Sequence, residues 1–148
     1  ESGVTLVNQT PLVKGVNDDA EVLAELFSKL SYIGVPPYYV FLCRPTLGNE
    51  TYSVPVEEGY EIFEKSRTLC SGLAKRARLV MSHESGKIEV LGMTEDQIFF
   101  KYLRAADKNN DARFLSFFRN PDACWFDDYQ EVADEFSLFS QTAKTECV

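Results

Sequence analysis

The sequence predicts a mixed α/β fold, in which about two βα units are followed by a mostly antiparallel β extension. Three observations support this prediction. An apolar run at residues 35–42 has the length and the β-branched and aromatic content of a buried strand. Two helical patterns, at 18–34 and 55–70, alternate with strand candidates, as in parallel βαβ units. After Arg78 the strand candidates follow one another without helices between them.

The first βα unit is predicted from residues 4–34. Residues 4–13 are an apolar stretch interrupted by three consecutive polar residues, Asn8, Gln9 and Thr10, which must face solvent or bond something if the segment is a strand. Asp18 is the predicted N-cap of the first helix, because Glu21 three positions later completes a capping box, and Gly34 ends the helix. The apolar face at helical spacing consists of Val22, Leu23, Leu26, Phe27 and Leu30.

Residues 36–49 are the segment on which the site prediction is centred. Apolar runs without alternation belong to strands that are covered on both faces, as in a parallel sheet. Pro45, Gly48 and Asn49 then predict a polar loop. Because such a loop lies at the carboxyl end of a strand, where open α/β sheets and barrels keep their sites, Arg44 is placed where a ligand would bind. The alternative is that Arg44 pairs with a surface carboxylate.

The second helix is predicted from about Pro55 to Cys70, with Ser53 as its N-cap and Gly72 as its stop. Short strand candidates follow at 78–81, 87–91 and 97–102, and residues 112–118 and 123–126 flank a turn at 119–122 that predicts an antiparallel hairpin. The predicted parts are the βα units at 1–78, the antiparallel extension at 79–128 and a C-terminal tail at 129–148.

Composition limits the classes of function. The 148 residues carry 15 basic and 23 acidic side chains, a net charge of −8, and we expect no basic patch and no nucleic-acid partner. We expect no membrane association, since no apolar run approaches the ~20 residues that a span requires. The four cysteines match no metal or cluster spacing, and we expect reduced thiols in a cytoplasmic protein.

Two βα units do not complete a domain, because a doubly wound sheet or a barrel needs more parallel strands. We therefore expect the chain to be the C-terminal part of a longer enzyme, with the missing N-terminal half as its partner. The strand at 4–13 would then have lost its original neighbour. We expect a homo-oligomer that pairs through this open edge.

Three motifs together resemble one enzyme family. They are N-Q-T-P-L-V-K-G-V-N-D-D at 8–19, P-P-Y-Y-V-F-L-C-R at 36–44 and S-G-K-I at 85–88. In this order they resemble the C-terminal portion of the lysine 2,3-aminomutase family of radical S-adenosylmethionine enzymes, and the resemblance covers most of residues 5–126. It implies a partial β/α barrel, a small-molecule substrate, S-adenosylmethionine, a 4Fe-4S cluster and, in the aminomutases, pyridoxal phosphate.

The resemblance also implies site residues. Gln9, and with it Asn8, matches the family position that contacts S-adenosylmethionine. Lys87 matches the lysine that forms the Schiff base with pyridoxal phosphate, although its loop has one glycine where the aminomutases have several. The family's three cluster cysteines, at C-x3-C-x2-C spacing, have no counterpart here. The resemblance therefore implies that the chain holds no metal and is inactive alone.

Arg44 changes the predicted substrate. In the lysine enzymes two aspartates hold the substrate ammonium; the first falls on Arg44, and the second falls near Val80 or Met81, where there is no carboxylate. A cation repels an ammonium, whereas a guanidinium binds carboxylates and phosphates bidentately, so an amino acid such as glutamate or a substrate with a phosphate suits Arg44 better. We predict a radical enzyme that acts on an amino acid or related carboxylate other than lysine; the alternative is a catalytically inactive binding or assembly domain. His83 beside Glu84 is a further acid/base candidate.

Overall fold

The structure is a computed structural model, and it describes residues 3–132. The strands are β1 (Asn8–Leu12), β2 (Pro37–Leu42), β3 (Arg78–His83), β4 (Gly86–Met93), β5 (Gln97–Ala105) and β6 (Phe114–Phe118), and the helices are α1 (Ala20–Tyr32) and α2 (Val56–Thr68). The strands form one sheet in the order β1-β2-β3-β4-β5-β6. The predicted mixed α/β class is confirmed, while the partial barrel and the division into three parts stay predictions. Most of the predicted tail lies outside the described residues.

β3 joins the parallel and the antiparallel parts of the sheet. It pairs parallel with β2, where Tyr39 faces Arg78, and antiparallel with β4, where Met81 faces Ile88. The strand predicted at 78–81 as part of the antiparallel extension therefore also belongs to the parallel part of the sheet. A short 3-10 helix at Gly72–Arg76 returns the chain from the end of α2 to the start of β3. The parallel part thus has three strands.

The sheet has a covered face and an open face. Both α-helices pack on the covered face, where Phe27 of α1 and Phe63 of α2 are almost fully buried and their ring centroids lie 6.4 Å apart. No helix within residues 3–132 packs on the open face. The fully buried strand residues of the covered face are Leu12, Val40, Leu79, Met81, Ile88, Ile98 and Phe100.

β2 is buried on both faces, as predicted, but helices cover only one of them. Val40 and Leu42 point to the helices and are 0% and 3% exposed, whereas Tyr39 and Phe41 point the other way and are 8% exposed and half-buried. The run lacks polar residues because the aromatic rings of its open side pack against one another, with the ring centroids of Tyr39 and Phe41 5.7 Å apart. Absence of alternation therefore did not mean a second covering layer.

The helix caps differ from the prediction by one or two residues. Asp19, and not Asp18, is the N-cap of α1, and its Oδ1 accepts hydrogen bonds from the N–H groups of Glu21 and Val22 at 2.8 and 3.0 Å. Asp18 instead accepts from the N–H of Gly15 and fixes the preceding turn. Asp19 thus caps the helix and Asp18 fixes the turn before it, whereas the capping-box pattern assigned the cap to Asp18.

At α2 the predicted N-cap Ser53 is also wrong, because Pro55 occupies that position and offers no side-chain cap. The N–H of Val56 donates instead to the carbonyl of Ala123 at 2.8 Å. A distant segment therefore completes the start of this helix. No helix within residues 3–132 is long and apolar enough to cross a membrane.

The predicted hairpin at 112–126 is wrong in its second half, since residues 123–126 form no strand. After β6 the chain turns toward α2 because Glu57, in the first turn of that helix, holds it there. The Oε2 atom of Glu57 accepts from Arg119 Nε and Nη2 at 3.0 and 2.8 Å, and its Oε1 atom accepts from the N–H of Asn120 at 2.9 Å. Glu57 is 3% exposed, so this ion pair is an internal anchor.

Residues 119–132, here called the strap, run from this anchor across the covered face of the antiparallel strands. Phe126 packs its ring against Phe100, with the centroids 5.4 Å apart. The strap then reaches the outer edge of β6, where the N–H of Val132 donates to the carbonyl of Ser116 at 2.8 Å. The strap therefore both extends the core and covers part of an exposed sheet edge.

Candidate functional site

Gln9 and Lys87 lie on the same face of the sheet, the open one. Gln9 is paired in register with Tyr39, and Lys87 places its Nζ atom 4.3 Å from the centroid of the Tyr39 ring. Three strand spacings separate β1 from β4, which corresponds to roughly 14 Å. The residues that the resemblance assigns to two different cofactors are thus on one surface, with β2 and β3 between them.

Asn8 is held by its own strand. Its Oδ1 atom accepts a hydrogen bond from the Thr10 hydroxyl at 2.6 Å, and its N–H donates to the carbonyl of Pro36 at 3.1 Å. The pairing of β1 with β2 is irregular between Asn8 and Gln9. These bonds account for a polar residue in this strand without a ligand, whereas the side chain of Gln9 is exposed. Contact of either residue with S-adenosylmethionine stays a prediction.

Lys87 rests on an aromatic platform formed by Tyr39 and Phe41. Its Nζ lies 4.3 Å and 5.2 Å from the two ring centroids, a distance at which a cation is attracted to the ring faces. Burial, followed by a hydrogen bond with the Tyr38 hydroxyl, raises the pKa of Tyr39 to about 12. The platform is therefore neutral at physiological pH, and it positions Lys87 without a carboxylate.

The single glycine of the turn before Lys87 has a structural role. Gly86 has a φ of 144°, which favours glycine, and a Cβ atom there would collide with the carbonyl oxygen of Arg104 and the Cα of Ala105. Close packing of β4 on β5 thus requires this glycine. Its presence is consistent with the family motif but does not by itself indicate a ligand.

A cavity of about 280 Å³ lies at the carboxyl ends of β2 and β3. Arg44 follows β2 at its wall and is exposed. Its guanidinium makes no ion pair within the described part of the chain, and its carbonyl accepts from the side-chain amide of Asn49 at 2.7 Å. The residues that line the cavity are Arg44, Pro45, His83, Glu84, Trp125 and Asp127.

Two of these lining residues are carboxylates, and the sequence motifs singled out only one of them, Glu84. The resemblance offers no acid at Val80 or Met81, but the structure brings Glu84 from the β3–β4 turn and Asp127 from the strap to the Arg44 cavity. Asp127 is far from Arg44 in sequence, and its position depends on the anchor of the strap at α2. No spacing rule within one motif could have identified it.

His83 is the centre of a chain of hydrogen bonds and holds Asp127 in place. Its Nδ1 accepts from the N–H of Ser85 at 3.1 Å and lies 2.7 Å from the Ser85 hydroxyl, which is 2.8 Å from the Tyr102 hydroxyl. The Nδ1 atom is thus an acceptor, so the neutral ring carries its proton on Nε2 and donates it to Asp127 Oδ2 at 3.0 Å. With its side chain 7% exposed, His83 positions Asp127 and does not pair with Glu84.

Within residues 3–132, no group of three or more Cys, His, Asp or Glu side chains comes together that could hold a metal ion. Cys43 lies between β2 and Arg44 and is half-buried. Burial raises the pKa of its thiol, which donates to the carbonyl of Leu12 at 3.2 Å. The thiol at this strand end is a packing group.

Comparison with known proteins gives relatives of one kind. The chain is 58% identical over 136 residues to a protein of Aquifex aeolicus described as "Putative L-lysine 2,3-aminomutase", which covers 92% of the chain and 36% of that protein. It is 46% identical over 72 residues to the L-lysine 2,3-aminomutase of Clostridium subterminale, 49% of the chain and 17% of the relative. It is 35% identical over 85 residues to the glutamate 2,3-aminomutase of Clostridioides difficile, 57% of the chain and 20% of the relative. No protein-family model matches the chain.

A mixed α/β sheet with polar residues on one open face and at its carboxyl ends is typical of proteins that bind small molecules. Within that class, the chain belongs to the lysine 2,3-aminomutase family, as the three sequence motifs predicted. The chain spans about a third of the length of the Aquifex relative and a fifth or less of the other two.

Proposed function

We propose that this chain is the C-terminal, substrate-binding part of a radical S-adenosylmethionine 2,3-aminomutase, an isomerase acting on an amino acid. The observation that supports this proposal most is the joint position of Lys87 and the Arg44 cavity. Lys87 lies on the open face and directly follows the β3–β4 turn, in which His83 pairs with Gly86. His83 and Glu84, on the other side of this turn, line that cavity. A substrate attached near Lys87 could therefore extend its far end toward Arg44.

Lys87 fits the role of the residue that holds pyridoxal phosphate. Its amine lies on the open side of the sheet and makes no ion pair with a carboxylate of residues 3–132, so a carbonyl group can reach it. When bound, pyridoxal phosphate acts as an electron sink beside the amino carbon, and S-adenosylmethionine with a 4Fe-4S cluster supplies the radical. This chain would contribute the attachment point, the neutral aromatic platform beneath it and, through Gln9, a contact to S-adenosylmethionine.

Arg44 supports an acidic side chain in the substrate. Its exposed guanidinium is free of ion pairs in the described residues and can bind a carboxylate through two parallel hydrogen bonds. On this basis the substrate is an amino acid such as glutamate. The cavity would bind the carboxylate that takes no part in the reaction and so position the reacting carbons.

A second substrate class is favoured by the two carboxylates of the same cavity. Glu84 and Asp127 could hold the side-chain ammonium of a diamino acid such as lysine. These two carboxylates outnumber the one cation of the cavity, so repulsion between Arg44 and an ammonium group does not by itself exclude lysine. Relatives named for each of the two amino acids are both found.

The test is an anaerobic assay of the full-length protein with S-adenosylmethionine and either L-glutamate or L-lysine, in which the β-amino acid product is measured. We expect Arg44→Asp to lower glutamate turnover about tenfold or more, roughly 1.4 kcal/mol in transition-state free energy, because the exposed cation that would bind the substrate carboxylate becomes an anion that repels it. Lys108→Asp, in an exposed turn, is the matched control and should change turnover less than about twofold.

The two substrate classes give opposite variant profiles. If lysine is the substrate, Asp127→Asn lowers turnover and Arg44→Asp does not. Absence of S-adenosylmethionine cleavage and of product with both amino acids would reject the enzyme and leave the inactive binding or assembly domain.

A further inference from the structure

A second cavity lies at the opposite end of β3 from the Arg44 cavity. It has a volume of about 210 Å³ and is situated where the C-terminal end of α2 and the amino end of β3 meet β4. Its apolar floor includes Phe63 and Leu79, both buried. The charged residues around it are Glu64, Arg67, Lys75, Arg76, Arg78 and Glu89.

The charge of this region is opposite to that of the protein. Residues 65–78 carry five of the 15 basic residues of the chain and no acidic residue, although the net charge of the whole chain is −8. The five are spread over a helix end, a 3-10 helix and a strand, so no contiguous basic run is visible in the sequence. The expectation that the chain has no basic patch is therefore wrong at this position.

The cations around the cavity are only partly neutralised. Arg67 Nη1 pairs with Glu64 at 2.6 Å, and Arg78 Nε lies 3.8 Å from a carboxylate oxygen of Glu89. Lys75 and Arg76 make no ion pair within the described residues. The four cations and two carboxylates leave a surplus of two positive charges.

Arg67 provides a second, independent indication of a ligand. Its Nε atom is buried and has no hydrogen-bond acceptor within residues 3–132. A buried donor without a partner costs about 1 to 3 kcal/mol, and more for a charged group. Arg67 lines the cavity with a side chain that is 37% exposed, so a small rotation of that side chain would bring Nε to an acceptor there.

We propose that this cavity binds a phosphate group carried by a small molecule. A phosphate near neutral pH carries up to two negative charges, which matches the surplus, and guanidinium groups bind its oxygens through several hydrogen bonds. The cavity has room for one phosphate and a small organic group, but not for a folded or extended peptide of several residues. The site is separate from the Arg44 cavity, because the six residues of β3 span roughly 20 Å.

The test measures binding of inorganic phosphate and of glycerol 3-phosphate to the full-length protein by calorimetry. We expect saturable binding of both, and about a tenfold weaker affinity for Lys75→Ala and for Arg76→Ala, since each removes one charge from a small site. Both residues are exposed, so both variants should unfold at the wild-type temperature. Lys108→Ala, in an exposed turn far along the chain, is the matched control and should bind like the wild type.

Two results would overturn the proposal: no saturable heat with either probe up to about 10 mM, far weaker than a specific site would require, or equal weakening in the Lys108→Ala control. If glycerol 3-phosphate binds more tightly than phosphate, the organic group contacts the apolar floor of the cavity. No amino-acid substrate enters this experiment. Its outcome is therefore independent of the proposed aminomutase function.

Discussion

The two faces of the sheet are made by the same strands and carry different chemistry. On the covered face, residues such as Val40 and Ile88 are fully buried under helices and the strap. On the open face, their neighbours in sequence are Tyr39 and Lys87, a cation held over aromatic rings. Packing leaves little freedom of residue type on the covered face. The open face, where packing makes fewer demands, is the one that can hold ligands.

The largest expected effect is loss of packing on the covered face. Phe27→Ala removes a 0% exposed ring from between α1 and α2 and should lower the free energy of unfolding by about 3 to 5 kcal/mol, because it leaves a cavity. Phe114→Ala, on the open face, is the control; Phe114 is 58% exposed, and we expect a change of about 1 kcal/mol or less. Denaturant unfolding measures both. Equal losses would contradict the division into two faces.

The strap gives the next largest effect. Glu57→Gln removes the buried charge that holds Arg119 and should cost about 2 kcal/mol; the cost is moderated because Arg119 is 31% exposed. Release of the strap should also shift the emission of Trp125, the only tryptophan, toward the red.

Glu61→Gln changes an exposed residue of the same helix and is the control for Glu57→Gln. It should leave both stability and emission unchanged. An unaltered Trp125 spectrum in Glu57→Gln would mean that the strap does not depend on this anchor.

The smallest expected effect is a pH dependence of the free energy of unfolding, which should have opposite signs for Glu89 and Glu25. Burial raises the pKa of Glu89, on the open face, above its usual 4.5, so ionisation opposes folding there. Wild-type protein should lose stability relative to Glu89→Gln as the pH rises from about 4.5 through the raised pKa. The pKa of the exposed Glu25 is lowered from 4.5 by a hydrogen bond and charge attraction to Lys29, so the wild-type protein should lose stability relative to Glu25→Gln as the pH falls from about 4.5 through the lowered pKa. Thermal unfolding between about pH 3 and 7 compares both variants with the wild type.

How far the sequence predicted the molecule depended on how local each feature is. Helical periodicity located α1, and the length and composition of an apolar run located the strand around Val40, because each pattern lies within one element. It could not distinguish a strand covered twice from one whose open side carries aromatic rings, since Phe41 is apolar in both cases. The resemblance singled out Gln9 and Lys87, and the structure places both on one face, which neither the resemblance nor periodicity had predicted.

The features that were missed depend on contacts between distant segments. Asp127 reaches the Arg44 cavity only because Glu57 turns the chain after β6, and His83 then fixes its carboxylate. The basic cavity around Arg67 is likewise assembled from four elements, namely α2, the 3-10 helix at Gly72–Arg76, β3 and β4. Such sites leave no motif in a single sequence, because their residues are brought together by tertiary packing alone.

The most direct test of the open face as the cofactor side is the identity of the lysine that pyridoxal phosphate labels. Full-length protein is loaded with the cofactor, reduced with borohydride and digested, and the modified peptide is identified by mass spectrometry. We expect the label on Lys87, loss of the label in Lys87→Ala, and retention of the label in Lys101→Ala, a control on the same face. A label on another lysine, or no label in cofactor-loaded protein, would contradict the assignment of the open face and Lys87 to pyridoxal phosphate.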